Sequence, residues 1–241
     1  MKSCLVSQLS HYLTLDRTSL EGLAKLERDE RSYKKRERVF SIGEENRFLY
    51  IVKSGWLYSY IDLADNRRSI VSVFQPGDLI GYSEVAFERY ATNLSTSEQS
   101  VLCPFPKHEL SDIFEQHPAL AALFFAIASR DQIIMIDRMR AISSMSSREK
   151  LVYFLLDMSA RMLMTHSIPE KGMMIPMSQQ EIGDMLGLTN VTVSRELTAL
   201  QVDGLIEKEG AHIRLMDISA LIRMCEFKDR YNKIDTTWLP K

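Results

Sequence analysis

The sequence predicts an α+β chain: a small antiparallel β-barrel or sandwich, then one long helix, then a compact module of mainly helices. Three observations predict it. Short runs rich in Val, Ile, Tyr and Phe alternate with turn signals from about Arg38 to Phe105. Beyond Pro106 the apolar period lengthens to that of a helix, and Met177 to Leu215 reads as two short helices followed by a hairpin. The 241 residues, 45% of them apolar, supply a core for one large domain or two ordinary ones, which excludes a disordered tail or a peptide hormone.

A first helix is expected over Asp16 to Leu26, where Asp16 can cap and Leu20, Leu23 and Leu26 share a face. The strands follow as Phe48 to Val52, Trp56 to Ile61, Ser69 to Phe74 and Ser100 to Phe105. Turns are marked by Lys53-Ser54-Gly55, Ala64-Asp65-Asn66 and Gln75-Pro76-Gly77-Asp78. Lys34-Lys35-Arg36 with Arg38 reads as a solvated edge strand whose charges discourage aggregation, and Cys103 as a small core residue in its strand.

Pro118 sits where a proline opens a helix, here one that runs to about Met145. Phe125, Gln132 and Met139 fall at one heptad position and Ala128, Met135 and Ile142 at another, a mostly apolar seam. The stripe could pack on the barrel of its own chain. A helix this long extends past a small barrel, however, which favours a dimer interface through these six positions. The run Ser143 to Ser147 suits a hinge and cap for a helix over Arg148 to Met164, and a short strand is expected at Met173 to Met177. The expected domains are 1–116, 117–147 for the long helix and hinge, 148–225 for the helical module, and a tail at 226–241.

The informative stretch is Met177 to Leu197. Ser178 with Glu181 three residues on has capping-box spacing; Ile182, Met185 and Leu186 give the first helix an inward face. Gly183 allows close approach, Gly187 permits a left-handed turn, and Thr189 can cap a second helix whose Val193, Leu197 and Leu200 face inward. That helix presents Asn190, Val191, Thr192, Ser194 and Arg195 outward near its start, where a recognition helix meets base edges and phosphates. Gln201 to Gly204 ends it, and Leu205 to Lys208 with His212 to Leu215 reads as a tight hairpin, completing a winged helix. Two short helices around a glycine also occur in proteins that bind no DNA, and Arg195 could then be a solvated charge. Leu151 to Lys241 holds 10 basic and 12 acidic residues, so affinity for a polyanion has to be local. No acidic residue lies between Met185 and Ser194, and helix N-termini with Ser178, Gln180 and Thr189 can bind phosphates.

Other classes find less support. Thirty Lys and Arg against 32 Asp and Glu leave a formal charge of −2, without a polycationic coat. Cys4, Cys103 and Cys225 are too few for a disulfide framework and fit a reducing cytoplasm. Met1 to Ser10 lacks the pattern of a secretory signal. Arg130, Asp131, Asp137, Arg138 and Arg140 interrupt the most apolar window, so no membrane span is expected. His11, His108, His117, His166 and His212 share no metal-like spacing, which leaves a barrel enzyme without its ligands, and the thirteen methionines suggest adaptable packing only.

With barrel, long helix and winged helix in this order, the chain resembles, over about residues 15 to 220, the cyclic-AMP receptor protein and fumarate–nitrate regulator family of bacterial transcription factors. The residues that carry the resemblance are Leu49-Tyr50-Ile51-Val52-Lys53-Ser54-Gly55, Pro76-Gly77-Asp78-Leu79-Ile80-Gly81, Ser178-Gln179-Gln180-Glu181-Ile182-Gly183 and Val193-Ser194-Arg195. The resemblance implies a cyclic-nucleotide-binding-like jelly roll, or double-stranded β-helix, that binds an effector. It further implies a homodimer paired through the long helices, palindromic promoter DNA, and contact with RNA polymerase. The implied effector pocket is Gly81, Tyr82, Ser83, Glu84, Thr92, Asn93, Met135 and Ile136. The cyclic-nucleotide branch carries a Glu directly after the glycine, an Arg-Ser pair and a Thr-Ser pair; here the matching positions read Gly81-Tyr82-Ser83-Glu84, Ala91-Thr92-Asn93 and Met135-Ile136. A buried cyclic phosphate without a cation would carry a large desolvation cost, so cyclic AMP is not expected. Nor is an iron–sulfur cluster, since the oxygen-sensing branch needs an N-terminal cysteine cluster and only Cys4 stands there. Val191 replaces the glutamate common to both branches on the recognition helix, while Ser194 and Arg195 match the oxygen-sensing one. The sequence is therefore read as a cytoplasmic, homodimeric, sequence-specific DNA-binding regulator and not an enzyme, with no cofactor evident and an unknown small-molecule effector. The alternative is a regulator that binds DNA without any effector.

Overall fold

Every second residue of a strand faces the same way, so a strand apolar at successive positions needs cover on both sides. In the computed structural model, which describes residues 3–64, 67–165, 168–170 and 172–240, the β-rich region meets that need with two sheets and a helical layer. The turn at Ala64-Asp65-Asn66 falls partly, and His166 wholly, outside the described residues. The elements are α1 (Cys4–Leu9), α2 (Arg17–Lys25), β1 (Arg31–Tyr33), β2 (Arg38–Phe40), β3 (Phe48–Ser54), β4 (Leu57–Asp62), β5 (Arg68–Phe74), β6 (Leu79–Ile80), β7 (Asn93–Thr96), β8 (Ser100–Pro106) and α3 (His108–Gln116). One antiparallel sheet has the order β1-β8-β3-β6 and the other β2-β7-β4-β5. Tyr50 and Val52 of β3 join Phe40, Leu57, Leu94 and Leu102 in one apolar core. Leu49 and Ile51, on the opposite face, join Cys103 and Phe105 under Leu5, Leu9, Leu23, Leu110, Leu120 and Leu123 of the helices.

The expected helix forms, with Asp16 accepting from Ser19 N as its cap. Gly55 follows β3 with φ +83°, a left-handed conformation, and a Cβ there would lie 2.6 Å from Gln99 O, so only glycine closes this turn. Lys34, Lys35 and Arg36 are not in a strand: they form the turn between β1 and β2, with Arg36 at φ 63° and its N–H on Thr96 O. Arg38 alone of that cluster lies in an edge strand, β2. The helix α1 is held from a distance. The buried Glu27 carboxylate accepts from Cys4 N at 3.3 Å and Leu5 N at 3.1 Å, satisfying amides that a helix start leaves open.

The remaining elements are α4 (Pro118–Ser144), α5 (Ser147–Thr165), β9 (Met173–Met174), α6 (Gln179–Leu186), α7 (Asn190–Val202), β10 (Ile206–Glu209), β11 (His212–Leu215) and α8 (Ile218–Cys225). Ser146 and Glu149 cap α5, Ser146 N donating to Glu149 Oε2 at 2.7 Å. The strand expected at Met173 to Met177 stops at Met174. Ile175 N still reaches Ala211 O, but Pro176 has no N–H to extend the β10-β11-β9 sheet. The chain forms two compact units, Met1–Ser129 with Lys233–Lys241 and Arg130–Asn232. The boundaries expected at 116, 147 and 225 therefore differ from those of the units. The division falls inside α4, and the tail is shared, Phe227 and Tyr231 being buried with the second unit and Leu239 joining the helical core of the first.

In the second unit α5 is buried along most of its length and packs against α7 and α8. A charged cluster crosses it. Arg138 of α4, largely buried, donates through Nη2 to Asp157 Oδ2 at 2.8 Å, and Tyr231 donates its hydroxyl to Asp157 Oδ1 at 2.7 Å. Burial by itself disfavours the Arg138 cation, but Asp157 outweighs it and holds the guanidinium charged. Arg230 pairs with Asp137 at 3.0 Å. By length and composition α4 is apolar enough to cross a membrane, yet these pairs hold that side of it against protein. Replacing Asp157 by Ala leaves a buried guanidinium without its counter-charge. The second unit should lose about 3–5 kcal/mol in urea unfolding followed by circular dichroism.

Candidate nucleic-acid interface

The interface is built from two short helices whose ends are fixed by their own side chains. Ser178 caps α6, accepting from Glu181 N at 3.2 Å, while Ser178 N donates to Glu181 Oε2 at 2.7 Å, a reciprocal capping box. Gly187 ends the helix at φ 65°. Leu188 N then turns back to Gly183 O at 2.9 Å, and Thr189 caps α7 by accepting from Thr192 N at 3.1 Å. Gly183 is required for space, since a Cβ would lie 2.5 Å from Leu188 O. The close approach it admits is that of the turn at Leu188 and Thr189, which leads into α7.

With Val193, Leu197 and Leu200 buried, the other side of α7 faces out. Asn190, Val191, Ser194, Arg195, Thr198, Ala199, Val202 and Asp203, with Arg148 of α5, line an open groove of about 730 Å³. Val191 is 75% exposed and the Arg195 side chain 69%, an apolar surface beside a guanidinium that no described element covers. Such a pair can touch a thymine methyl and bond the O6 and N7 acceptors of guanine. Four of the expected residues, Asn190, Val191, Ser194 and Arg195, come together on this face. Thr192 is half-buried and shares a hydrogen bond of 2.8 Å with the Thr189 hydroxyl. The Ser178 and Thr189 hydroxyls serve as caps, and Gln180 Nε2 donates to Asp184 at 2.7 Å, so these residues offer a phosphate mainly their helix ends.

Thr198 and Val202 were missed, although their spacing from Val191 and Arg195 is that of one helix face. Arg148 had no local signal: the packing of α5 on α7 brings it to the groove, where it pairs with Asp203. The expected hairpin forms with its first strand one residue later than the sequence suggests: β10 runs Ile206–Glu209, with Ile206 opposite Leu215 and Glu209, expected in the turn, opposite His212.

In the first unit Gly81 precedes a turn of 3₁₀ helix, Tyr82–Glu84. The Glu84 carboxylate accepts from the Thr92 hydroxyl at 2.8 Å and Ala91 N at 3.2 Å; buried Asn93 accepts from Ile42 N at 3.0 Å; Ser83 is exposed. Met135 and Ile136 lie in the second unit, both exposed on α4. Of the seam residues, Phe125, Gln132, Met135, Met139 and Ile142 are exposed and Ala128 is half-buried, while exposed Ile133 and Ile136 were not among them. Cys103 is fully buried, and burial pushes its thiol up to about 11. Among the described residues no three His, Cys, Asp or Glu side chains converge as metal ligands do.

Two family models match the chain: a cyclic nucleotide-binding domain over residues 30–117 and a Crp-like helix-turn-helix domain over residues 149–224. The transcriptional activator protein FnrA of Stutzerimonas stutzeri is 29% identical over 216 residues, 90% of this chain and 88% of that protein. The transcriptional activator protein anr of Pseudomonas aeruginosa is 28% identical over the same shares of the two chains. Among solved structures, that of FixK2 from Bradyrhizobium japonicum matches with a TM-score of 0.73 at 27% identity, covering 81% of this chain and 96% of the other.

Because the Cβ of an alanine at position 183 meets backbone oxygen, the turn has to open to admit it. Gly183→Ala should destabilise the second unit by about 1–3 kcal/mol, measured as a lower melting temperature.

Proposed function

The chain belongs to the cyclic-AMP receptor protein and fumarate–nitrate regulator family and is a DNA-binding transcription regulator; from that premise we propose that it binds palindromic promoter DNA as a homodimer, reading bases with α7. The observation that carries the reading is the uncovered outer face of α7, with Val191 and Arg195 side by side above a capped helix start. Arg195 bonds a guanine, Val191 contacts a thymine methyl, and Asn190 and Ser194 add polar contacts. The first-turn amides of α6 beside Gln180 and of α7 beside Asn190, next to the Ser178 and Thr189 caps, seat phosphates.

The dimer is proposed from α4. Met135, Ile136, Met139 and Ile142 are exposed along its second half, while Asp137 and Arg138 turn to partners in their own unit. An apolar face of this kind is covered when a second copy of the helix docks on it. Two-fold symmetry then places two copies of α7 on adjacent half-sites. Contact with RNA polymerase and a cytoplasmic location belong to the same reading.

For the barrel we propose an effector other than cyclic AMP, since Ala91, Thr92 and Asn93 offer no cation to a phosphate, and no iron–sulfur cluster. A specific observation favours the second reading, DNA binding without any effector. Glu84, Ala91 and Thr92 already satisfy one another, and Asn93 is tied to Ile42 N. DNA affinity unchanged across metabolite pools, with no small molecule in the native mass spectrum, would decide for it.

Selection of DNA from a randomised duplex pool by the full chain should enrich a palindrome; failure to enrich any sequence overturns the proposal. Arg195→Ala should cost about 1–3 kcal/mol on that palindrome and much less on random duplex, and equal losses would contradict base reading. Placing Glu at both Ile136 and Met139 should give monomers in analytical ultracentrifugation while thermal unfolding stays cooperative.

A further inference from the structure

Arg195 does not project freely from α7. Its Nε and Nη2 groups both donate to Glu196 Oε1, at 3.3 and 3.0 Å. Consecutive helical residues point about 100° apart, so they meet only if one side chain bends round the helix towards the other. The two side chains differ in depth: that of Glu196 is 14% exposed against 69% for Arg195. The carboxylate thus lies nearer the body of the module than the guanidinium does, and accepts from it along one edge.

A guanidinium is planar and carries five N–H donors in a rigid fork. With Nε and the adjacent hydrogen of Nη2 committed to Glu196, the pair left side by side is Nη1 and the second hydrogen of Nη2. That is the end-on pair whose spacing matches O6 and N7 of guanine in the major groove. Resting on the reading of α7 as the recognition helix, we propose that Glu196 is a positioning residue that holds Arg195 with its end-on fork presented to a guanine. A negative charge in this place has a second effect. It opposes the approach of any DNA backbone, whatever the sequence, because the phosphates are anionic. Glu196 therefore sharpens base choice and weakens indiscriminate binding together. A simple exposed ion pair would do neither to a measurable degree.

The experiment uses the full-length chain and the palindrome enriched from a randomised duplex pool. The guanine preference is the ratio of affinities for the selected base and its three replacements, at the position where Arg195→Ala loses discrimination. Glu196→Ala should lower that ratio about tenfold, the scale of one well-placed bidentate contact, while tightening binding to random duplex. Glu196→Gln keeps the shape and an acceptor without the charge. It should tighten random binding as Ala does but retain more of the guanine preference than Ala. Binding to random duplex also shows that both variants are folded. A wild-type ratio in Glu196→Ala overturns the proposal, including the case in which the selected site is bound more tightly, since Glu196 would then only compete with DNA for Arg195. If no sequence is enriched, or Arg195→Ala leaves every base preference intact, the base-reading function falls and takes this role of Glu196 with it. Enrichment with loss of preference in Arg195→Ala alone sinks only the role of Glu196.

Discussion

A guanidinium largely withdrawn from water has to be met by a negative charge, and in the second unit Arg138 is met by Asp157, itself braced by the Tyr231 hydroxyl. Three parts of the chain distant in sequence are joined by this contact: α4, α5 and the segment after α8. Because α5 also packs against α7, the helix that carries the outward face is supported on an element tied to α4. Sites that must match the geometry of a rigid ligand are held by elements whose own positions are fixed by packing, and duplex DNA is such a ligand.

Charge on the outward surface is arranged by pairs. Arg195 meets Glu196, Arg148 meets Asp203, and Arg214 meets Glu207 across the hairpin. A chain with formal charge −2 cannot rely on a bulk electrostatic field to find DNA. Each of these guanidiniums thus has a carboxylate beside it, so the surface carries no local excess of positive charge from them. The surface is therefore suited to discrimination more than to indiscriminate affinity, consistent with Val191, an apolar residue, standing exposed at its centre.

The barrel follows a different logic. Its strands β3 and β8 are covered on both faces, by the opposite sheet and by helices, so their place is set by packing. Its polar residues near Glu84 bond with one another inside that frame. The resemblance assigned these positions to an effector, but their hydrogen-bond partners could be learned only from coordinates, since Asn93 and Ile42 are far apart in the chain.

What the sequence determined was whatever is specified locally. The capping box of Ser178 and Glu181, the left-handed turn at Gly187, the cap at Thr189, the hairpin after Gly204 and the apolar strand runs each depend on residues within a few positions of one another; the caps and the turn formed where expected, and the strands within a residue or two of their expected ends. What only the tertiary structure decided depends on partners remote in sequence. The start of α1 is satisfied by Glu27, Arg148 is carried to the groove of α7, the short strands β1, β2, β6 and β7 are recruited by longer neighbours, and the C-terminal residues are shared between two cores. Short strands and isolated charges have too little intrinsic preference to announce themselves, and they acquire a place only when the folded chain supplies a hydrogen-bond ladder or a counter-ion.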